Sequence, residues 1–445
     1  MRRRTTTSRG AAAALDVQRT VVAPARHAHV TLALIAALLL VTPLVVTPST
    51  KESFRLVKGL AAGWLGLASL IPAAWALRQV GAVPWRVLDR PLVRAVLPLT
   101  VVILAGAWWT PHPVHFRAAA ADYAIGIGCA VGWSLALPGQ LLRRALHVTI
   151  LPAAIVSVLT IDQALGLFGL LDGLGVTAPT ARLALTATLG NPGDIGASLV
   201  LPSGVGALLW LRRPMRAYER GALSMALGLM AAALVASGTL AALAAVVTGA
   251  SVAVFAVRGS EVRRPIVIGA VLALLAVAIA APPVLTRVTT AAGALTQGDL
   301  NTMLTGRLDG WRAAVEMIRV HPLTGVGQGA FRAAYADTRL SLMDRGVGFY
   351  EAQDRVMFAT PHNEALSVAA EQGWPGVIAL AWGAWCLLAA TAKLHDTGER
   401  VLARAALAAL AILSLAWFPM HVASVAWPWL VFFAWLDRRA MESPA

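Results

Sequence analysis

Long apolar segments without charged residues constrain this chain more than any other feature of its sequence. Two examples are VTLALIAALLLVTPLVV at residues 30–46 and PIVIGAVLALLAVAIAA at residues 265–281. A helix needs roughly 20 apolar residues to cross the bilayer core, and each span must be helical because lipid offers no partner for unpaired backbone groups. Only 13% of the residues are charged, about half the fraction in a soluble domain. The sequence therefore predicts an all-α polytopic membrane protein.

We expect about twelve transmembrane helices from the hydropathy pattern, centred near residues 38, 67, 101, 128, 152, 202, 228, 248, 273, 383, 410 and 428. The first span is expected to be retained, because its apolar run is too long for the core of a secretory signal. These helices predict five parts: a basic cytoplasmic N-terminal tail (1–29), transmembrane helices 1–9 (30–281), a large periplasmic catalytic loop (282–361), a loop-terminal helix with transmembrane helices 10–12 (362–437), and a cytoplasmic C-terminal tail (438–445).

The distribution of charge explains the net charge of +15 without a nucleic-acid partner. If the N-terminus is cytoplasmic, most basic residues fall in cytoplasmic segments, as the positive-inside rule requires. The one long polar segment, residues 282–361, then faces away from the cytoplasm. The two cysteines, Cys129 and Cys386, lie in apolar runs, which indicates neither a disulfide framework nor a metal site.

The long loop contains a predicted helix and a glycine-rich turn. TGRLDGWRAAVEMIRVHP, residues 305–322, has apolar residues at helical spacing and ends at a proline. This spacing places on one face Leu308, Trp311, Ala314, Val315 and Ile318,. The next segment, LTGVGQGAF, supplies Gly325, Gly327 and Gly329, which favour a tight turn. A phosphate-binding loop is the alternative, although the spacing matches neither the Walker nor the Rossmann pattern.

The border between the loop and the following span carries a polar motif, PHNEALSVAAEQGWPG at residues 361–376. Thr360 and Pro361 predict the N-cap and first residue of a helix, which would place His362 in the first turn. There the positive partial charge of the helix N-terminus would favour a neutral imidazole, and a neutral histidine can act as a general base. The alternative is a histidine that only caps a loop at the membrane surface.

These segments resemble a known family. GRLDGWRAAVEMIRVHPLTGVGQGAF followed by PHNEALSVAAEQGWPG is similar to the signature region of the O-antigen ligase and polymerase superfamily. LGNPGDIGASLVLP, residues 189–202, resembles a second family element, Gly-Asn-Pro-Asn, with Gly193 in place of the final Asn. Many members have Ser-Arg-Gly at the start of the following span, whereas here Gly238 follows Ser237 directly. Either another cation fills that role or this chain handles its substrate differently.

The resemblance implies a glycosyltransferase of the bacterial inner (cytoplasmic) membrane with its active site facing the periplasm. It would move a glycan from an undecaprenyl diphosphate carrier to an acceptor hydroxyl by inverting transfer. The acceptor would be lipid A-core for a ligase, or a carrier-linked glycan for an O-antigen or exopolysaccharide polymerase. A transporter of lipid-linked sugars is an alternative, but it would carry charged residues at mid-membrane. A structural membrane partner would not need the His-Asn motif.

The resemblance also implies roles for particular residues. His362 would be the catalytic base, and Arg307 would bind the diphosphate. Arg182 is expected to bind it too, because an arginine near lipid is costly and usually faces a cavity or partner, with simple snorkelling as the alternative. Supporting roles would fall to Asn363, Glu364, Arg312, Gly325, Gly327 and Asn191. Glu364 lies two positions from His362 and therefore on another helix face. Because the carboxylates of the loop are dispersed while arginines suit phosphate, we expect neither a metal nor a cofactor.

Overall fold

The computed structural model describes residues 25–47, 54–79, 85–171, 185–212, 214–256, 269, 282–304, 306–349 and 358–442. Within these residues the regular structure is helical and contains no strand. The α-helices are α1 Ala25–Leu44, α2 Arg55–Gln79, α3 Pro91–Ala105, α4 Pro113–Ala136, α5 Gly139–Val148, α6 Ile150–Leu165, α7 Pro192–Arg212, α8 Ala217–Ser237, α9 Leu240–Ala256, α10 Pro282–Thr296, α11 Leu300–Met303, α12 Arg307–Val320, α13 Phe331–Asp344, α14 Glu364–Ala392, α15 Thr397–Ala416 and α16 Ala423–Glu442.

Eight segments of the described chain are long and apolar enough to cross a membrane. They are residues 26–44, 55–75, 91–108, 113–136, 139–165, 192–211, 217–237 and 364–392. The apolar part of α9 is shorter, and the expected span near residue 273 lies outside the described residues. For the described residues the prediction of an all-helical protein with helices able to span a membrane is therefore confirmed, whereas the number twelve is not.

The bundle has two chemically different ends, because successive long helices run in opposite directions. The arginine-rich end holds Arg26, Arg78, Arg90, Arg94, Arg143, Arg144, Arg216, Arg220, Arg400, Arg404, Arg438 and Arg439. The loop end holds the N-termini of α2, α7, α14 and α16, together with α12 and α13. This separation is the one that the positive-inside rule associates with a cytoplasmic and an outer side.

Cysteine labelling tests this orientation. We expect Ser341→Cys, on the exposed side of α13, to react with an impermeant maleimide in intact spheroplasts. Tyr218→Cys is the matched control, because Tyr218 is 66% exposed at the arginine-rich end, and it should react only after permeabilisation. The reverse pattern would place the loop in the cytoplasm and contradict the predicted topology.

The last helix, α16, lies in the middle of the bundle and packs against α1, α2, α3, α4, α5, α7 and α14. Trp429, Phe432 and Trp435 on it are fully buried, as expected for a helix whose residues 423–436 include no charged side chain,. Its buried carboxylate, Asp437, pairs with Arg90 at 2.6 Å, which compensates a charge that would be costly alone. This central helix fixes the segment that precedes it, residues 417–422, at the loop end.

A second, smaller core holds α12 and α13 against the start of α14 and includes Ala313, Ala314, Met317, Phe331 and Tyr335. The predicted amphipathic helix is thus observed, but the predicted face is wrong at one position, since Val315 is 56% exposed. Small residues decide the packing instead. A side chain at Gly310 would place its Cβ only 3.3 Å from the Cα of Pro361. α12 therefore lies directly against the segment that carries His362.

Candidate functional site

His362 lies at the loop end inside a ring of aromatic side chains. Its imidazole centroid is 5.6 Å from Phe358, 5.5 Å from Trp417 and 4.7 Å from Phe418, each in an edge-on arrangement. The Trp417 and Phe418 rings are themselves stacked, with 4.8 Å between centroids and 19° between planes. We call this stacked pair the aromatic shelf. It gives the histidine an apolar, half-buried setting.

The helix that follows His362 begins later than the sequence predicts. Asn363, not Thr360, is the N-cap of α14, and its Oδ1 accepts a hydrogen bond from the Leu366 amide at 3.0 Å. The Asn363 amide also donates to the carbonyl of Leu415 at 2.9 Å, so this side chain joins α14 to the end of α15. His362 therefore lies outside the helix, with a positive φ of 57°. Such a conformation is uncommon for a residue other than glycine and is typical of constrained sites.

The hydrogen bond of the imidazole assigns its tautomer. Nδ1 lies 3.2 Å from the carbonyl oxygen of Thr360, and a carbonyl can only accept, so Nδ1 carries the proton in the neutral ring. Nε2 is then the basic nitrogen. Among the described residues no group donates a hydrogen bond to Nε2, which leaves its lone pair available to a substrate hydroxyl.

The surroundings of His362 keep the ring neutral at pH 7. Burial lowers its pKa, the Arg307 guanidinium lowers it further, and the pKa falls to about 4 although the Thr360 carbonyl opposes the shift. The sequence predicts a neutral ring from the helix N-terminus, but the causes in the structure are burial and nearby cations.

Arg307 is the first residue of α12, and its guanidinium lies 5.6 Å from the centroid of Trp417. Gly306 allows this placement because it precedes the helix with φ 78°, a conformation that glycine adopts readily. Arg307 and His362 therefore share the aromatic shelf although 55 positions separate them in the chain, which is the difference of their residue numbers.

The structure adds Arg55, which the sequence reasoning missed. Arg55 begins α2, and its guanidinium lies 5.2 Å from the centroid of Phe418. It also donates to the buried carboxylate of Asp194 at 3.3 Å. One sequence signal could have found it. Arg55 and Lys58 are basic residues beside the second span, on the side where the positive-inside rule disfavours them,.

The second family element is built around the same shelf. Asn191 caps the start of α7, where its Oδ1 accepts from the Gly193 amide at 2.7 Å. Trp417 donates its indole N–H to Asp194 at 3.2 Å. A Cβ at Gly193 would lie 2.1 Å from the Trp417 ring, so the asparagine of the family pattern cannot occupy this position beside Trp417 as placed here. The absence of a side chain at Gly193 thus leaves room for the Trp417 ring of the shelf.

Glu364 pairs with His421 rather than with His362. One carboxylate oxygen lies 3.4 Å from Nδ1 of His421, and the other accepts from the Met420 amide at 2.9 Å. Burial disfavours the charged form of His421, but Glu364 and Glu371 outweigh it and raise its pKa to about 9. His421 is therefore a cation at pH 7, and this ion pair holds the segment after the aromatic shelf against α14.

The glycine-rich turn docks onto α14 at the kink formed by Gly373. The amide of Gly325 donates to His321, that of Gly327 to the Glu371 carbonyl, and that of Gly329 to the Glu371 carboxylate, each at 2.9 Å. A Cβ at Gly325 would lie 2.3 Å from the Glu371 backbone, so close approach requires glycine there. These amides are used inside the protein, which favours the turn over a phosphate-binding loop.

The other sequence candidates lie in different surroundings. Arg312 donates to the Gly348 carbonyl at 2.6 Å and is 3.8 Å from Asp309, so its contacts are within the loop. Arg182 lies outside the described residues. At Gly238, where the family has an arginine, Arg287 of α10 donates to the glycine carbonyl. A cation from another helix therefore occupies this neighbourhood.

Within the described residues no group of three His, Cys, Asp or Glu side chains is arranged to hold a metal ion. The polar groups at the shelf are the guanidinium groups of Arg307 and Arg55, the neutral imidazole of His362 and the single carboxylate of Asp194. This arrangement can accept a proton at Nε2 of His362, and guanidinium groups can bind an anion.

Residues 225–381 match the family model described as O-antigen ligase. The matched region contains Arg287, Arg307, His362 and Glu364, whereas Arg55 and Trp417 lie outside it. A search of curated proteins found no match.

Proposed function

We propose that this chain transfers a glycan from undecaprenyl diphosphate to an acceptor hydroxyl. The match of residues 225–381 to the O-antigen ligase family model supports the resemblance to that superfamily. The proposed acceptor is lipid A-core, and the proposed location is the inner membrane with the site facing the periplasm. Polymerisation onto a carrier-linked glycan is the alternative that the same chemistry allows.

The observation that carries this proposal is the state of His362, which is neutral and has its proton on Nδ1. In the proposed reaction Nε2 takes the proton of the acceptor hydroxyl while the oxygen attacks the anomeric carbon. The bond from that carbon to the diphosphate oxygen breaks, and its electron pair leaves with the diphosphate. Direct displacement inverts the anomeric configuration.

The leaving diphosphate needs compensation for its developing charge. Guanidinium groups supply it because they are always protonated and present several donors in a fork that fits phosphate oxygens. Preorganised cations at an apolar site stabilise such charge more than solvent does. Arg307 on the aromatic shelf supports this role.

Reconstitution tests the proposal. Purified protein in liposomes, supplied with labelled undecaprenyl diphosphate glycan and lipid A-core, should transfer the label to lipid A-core. Transfer only to other carrier-linked glycan would indicate a polymerase. Movement of intact carrier across the bilayer without bond formation would indicate a transporter and contradict the proposal.

We further predict that transfer does not need a divalent ion. Arginines supply the positive charge at the site. Excess EDTA should therefore leave the rate of transfer within about twofold of the rate without EDTA, a change equivalent to less than 1 kcal/mol in the barrier. The matched control is the same assay with added magnesium. Complete loss of transfer in EDTA, restored by magnesium or manganese, would contradict the mechanism.

A further inference from the structure

Two guanidinium groups and one imidazole share the aromatic shelf. Arg307 lies over Trp417 and Arg55 lies over Phe418, at 5.6 and 5.2 Å from the ring centroids. The imidazole of His362 is edge-on to both rings. The two cations come from different helices, since Arg307 begins α12 and Arg55 begins α2. Each lies over a ring that His362 also contacts. Both lower the pKa of His362, which agrees with this proximity.

Arg55 retains donors for a ligand. A guanidinium has five N–H donors, and the hydrogen bond of Arg55 within the described residues goes to Asp194. The side chain is 43% exposed, whereas that of Asp194 is 1% exposed. One nitrogen of the Arg55 guanidinium is thus bound by Asp194, and the side chain remains partly exposed at the loop end.

We propose that Arg55 is the second diphosphate-binding residue of the site, acting together with Arg307. This inference rests on the proposed function and deepens it, because it assigns one guanidinium to each phosphoryl group of the carrier. A diphosphate offers two phosphoryl groups for two guanidinium groups to contact, whereas a monophosphate offers one. The site should therefore distinguish a lipid diphosphate from the corresponding monophosphate.

Asp194 is the positioning residue in this arrangement. Its buried carboxylate accepts from Arg55 and from the Trp417 indole, so it orients both the cation and one ring of the shelf. A buried carboxylate is costly unless it is paired and hydrogen-bonded, and Lys58 lies nearby as a further cation, with its ammonium bonded to the carbonyls of Pro43 and Val45. Burying the Asp194 carboxylate costs free energy, which is expected of a group that orients a binding residue such as Arg55,.

Equilibrium binding to purified protein in nanodiscs tests the role of Arg55. We expect Arg55→Gln to weaken binding of undecaprenyl diphosphate about 10- to 100-fold, as for loss of a charged hydrogen-bonding group. Binding of undecaprenyl monophosphate should weaken much less. Arg55→Lys should fall between, because a point charge replaces a fork. Inorganic pyrophosphate should compete with the lipid for the wild type and less well for Arg55→Gln.

Arg345→Gln is the matched control, because Arg345 is 44% exposed and also pairs with a carboxylate, that of Glu316. If Arg55→Gln binds the diphosphate as tightly as Arg345→Gln does, the inference is overturned. If the wild type itself shows no preference for the diphosphate carrier, the proposed substrate fails, and the inference fails with it. A wild type without preference for the diphosphate thus points to the wrong substrate, whereas a preferring wild type with an unaffected Arg55→Gln variant points to the wrong residue.

A double-mutant cycle tests Asp194. Asp194→Asn should weaken diphosphate binding in the wild-type background and should have a much smaller further effect in Arg55→Gln. In that background the contact with Arg55 is already lost and only the one with Trp417 remains. Equal effects in both backgrounds would mean that Asp194 has only a structural role, and this part of the inference would be overturned.

Discussion

His362→Ala should lower the rate of glycan transfer by at least about 100-fold, because loss of a general base typically costs between 10² and 10⁴ in rate. The change removes Nε2, the nitrogen on which the lone pair lies when Nδ1 bonds to Thr360. Binding of the carrier should remain close to that of the wild type, since the proposed contacts to the diphosphate come from arginines. The loss should therefore appear in kcat rather than in the affinity for the carrier.

His321→Ala is the matched control for this experiment. His321 lies in the same loop, immediately after α12, with an exposed side chain, so its removal should leave transfer nearly unchanged. A stably inserted His362→Ala protein that transfers glycan at the wild-type rate would show that His362 only terminates the loop. The base would then have to be another group.

The sequence predicts the coarse fold well because membrane helices depend on local hydrophobicity. Spans such as α2, α4 and α7 lie at their expected centres, since each needs only a run of apolar residues. The position of α16 in the middle of the bundle could not be predicted in this way, because its burial depends on which helices surround it. The same limit applies to α12, whose helix is predicted but whose buried face is set by the small residues Gly310, Ala313 and Ala314.

The site is only partly predictable for a similar reason. His362 and Arg307 stand in recognisable motifs, but Arg55 and Trp417 reach the same shelf from helices far away in sequence. Local pattern also gives the wrong start for α14. Asn363 is the N-cap because its side-chain oxygen accepts from the Leu366 amide while its side-chain nitrogen donates to the Leu415 carbonyl. The second of these hydrogen bonds is a tertiary contact. The partner of Glu364, His421, is likewise 57 positions away by residue number.

Arg307→Ala should weaken binding of undecaprenyl diphosphate about 10- to 100-fold, since a charged hydrogen bond contributes about 1.5–3 kcal/mol. Arg307→Lys should restore only part of this affinity, because an ammonium cannot make a bidentate contact with phosphate. Arg319→Ala is the matched control on the same helix. Arg319 is 64% exposed and pairs with Glu316, so its loss should not change carrier binding.

Arg307→Gln should in addition change the pH dependence of kcat. In the wild type the pKa of His362 is about 4, so the ring is already neutral above about pH 5 and the rate should be flat from there to neutral pH. Without the guanidinium charge the pKa rises, although burial still holds it below the usual value for histidine. The ascending limb of the profile should therefore move to higher pH, and an unchanged limb would show that Arg307 does not act on the histidine.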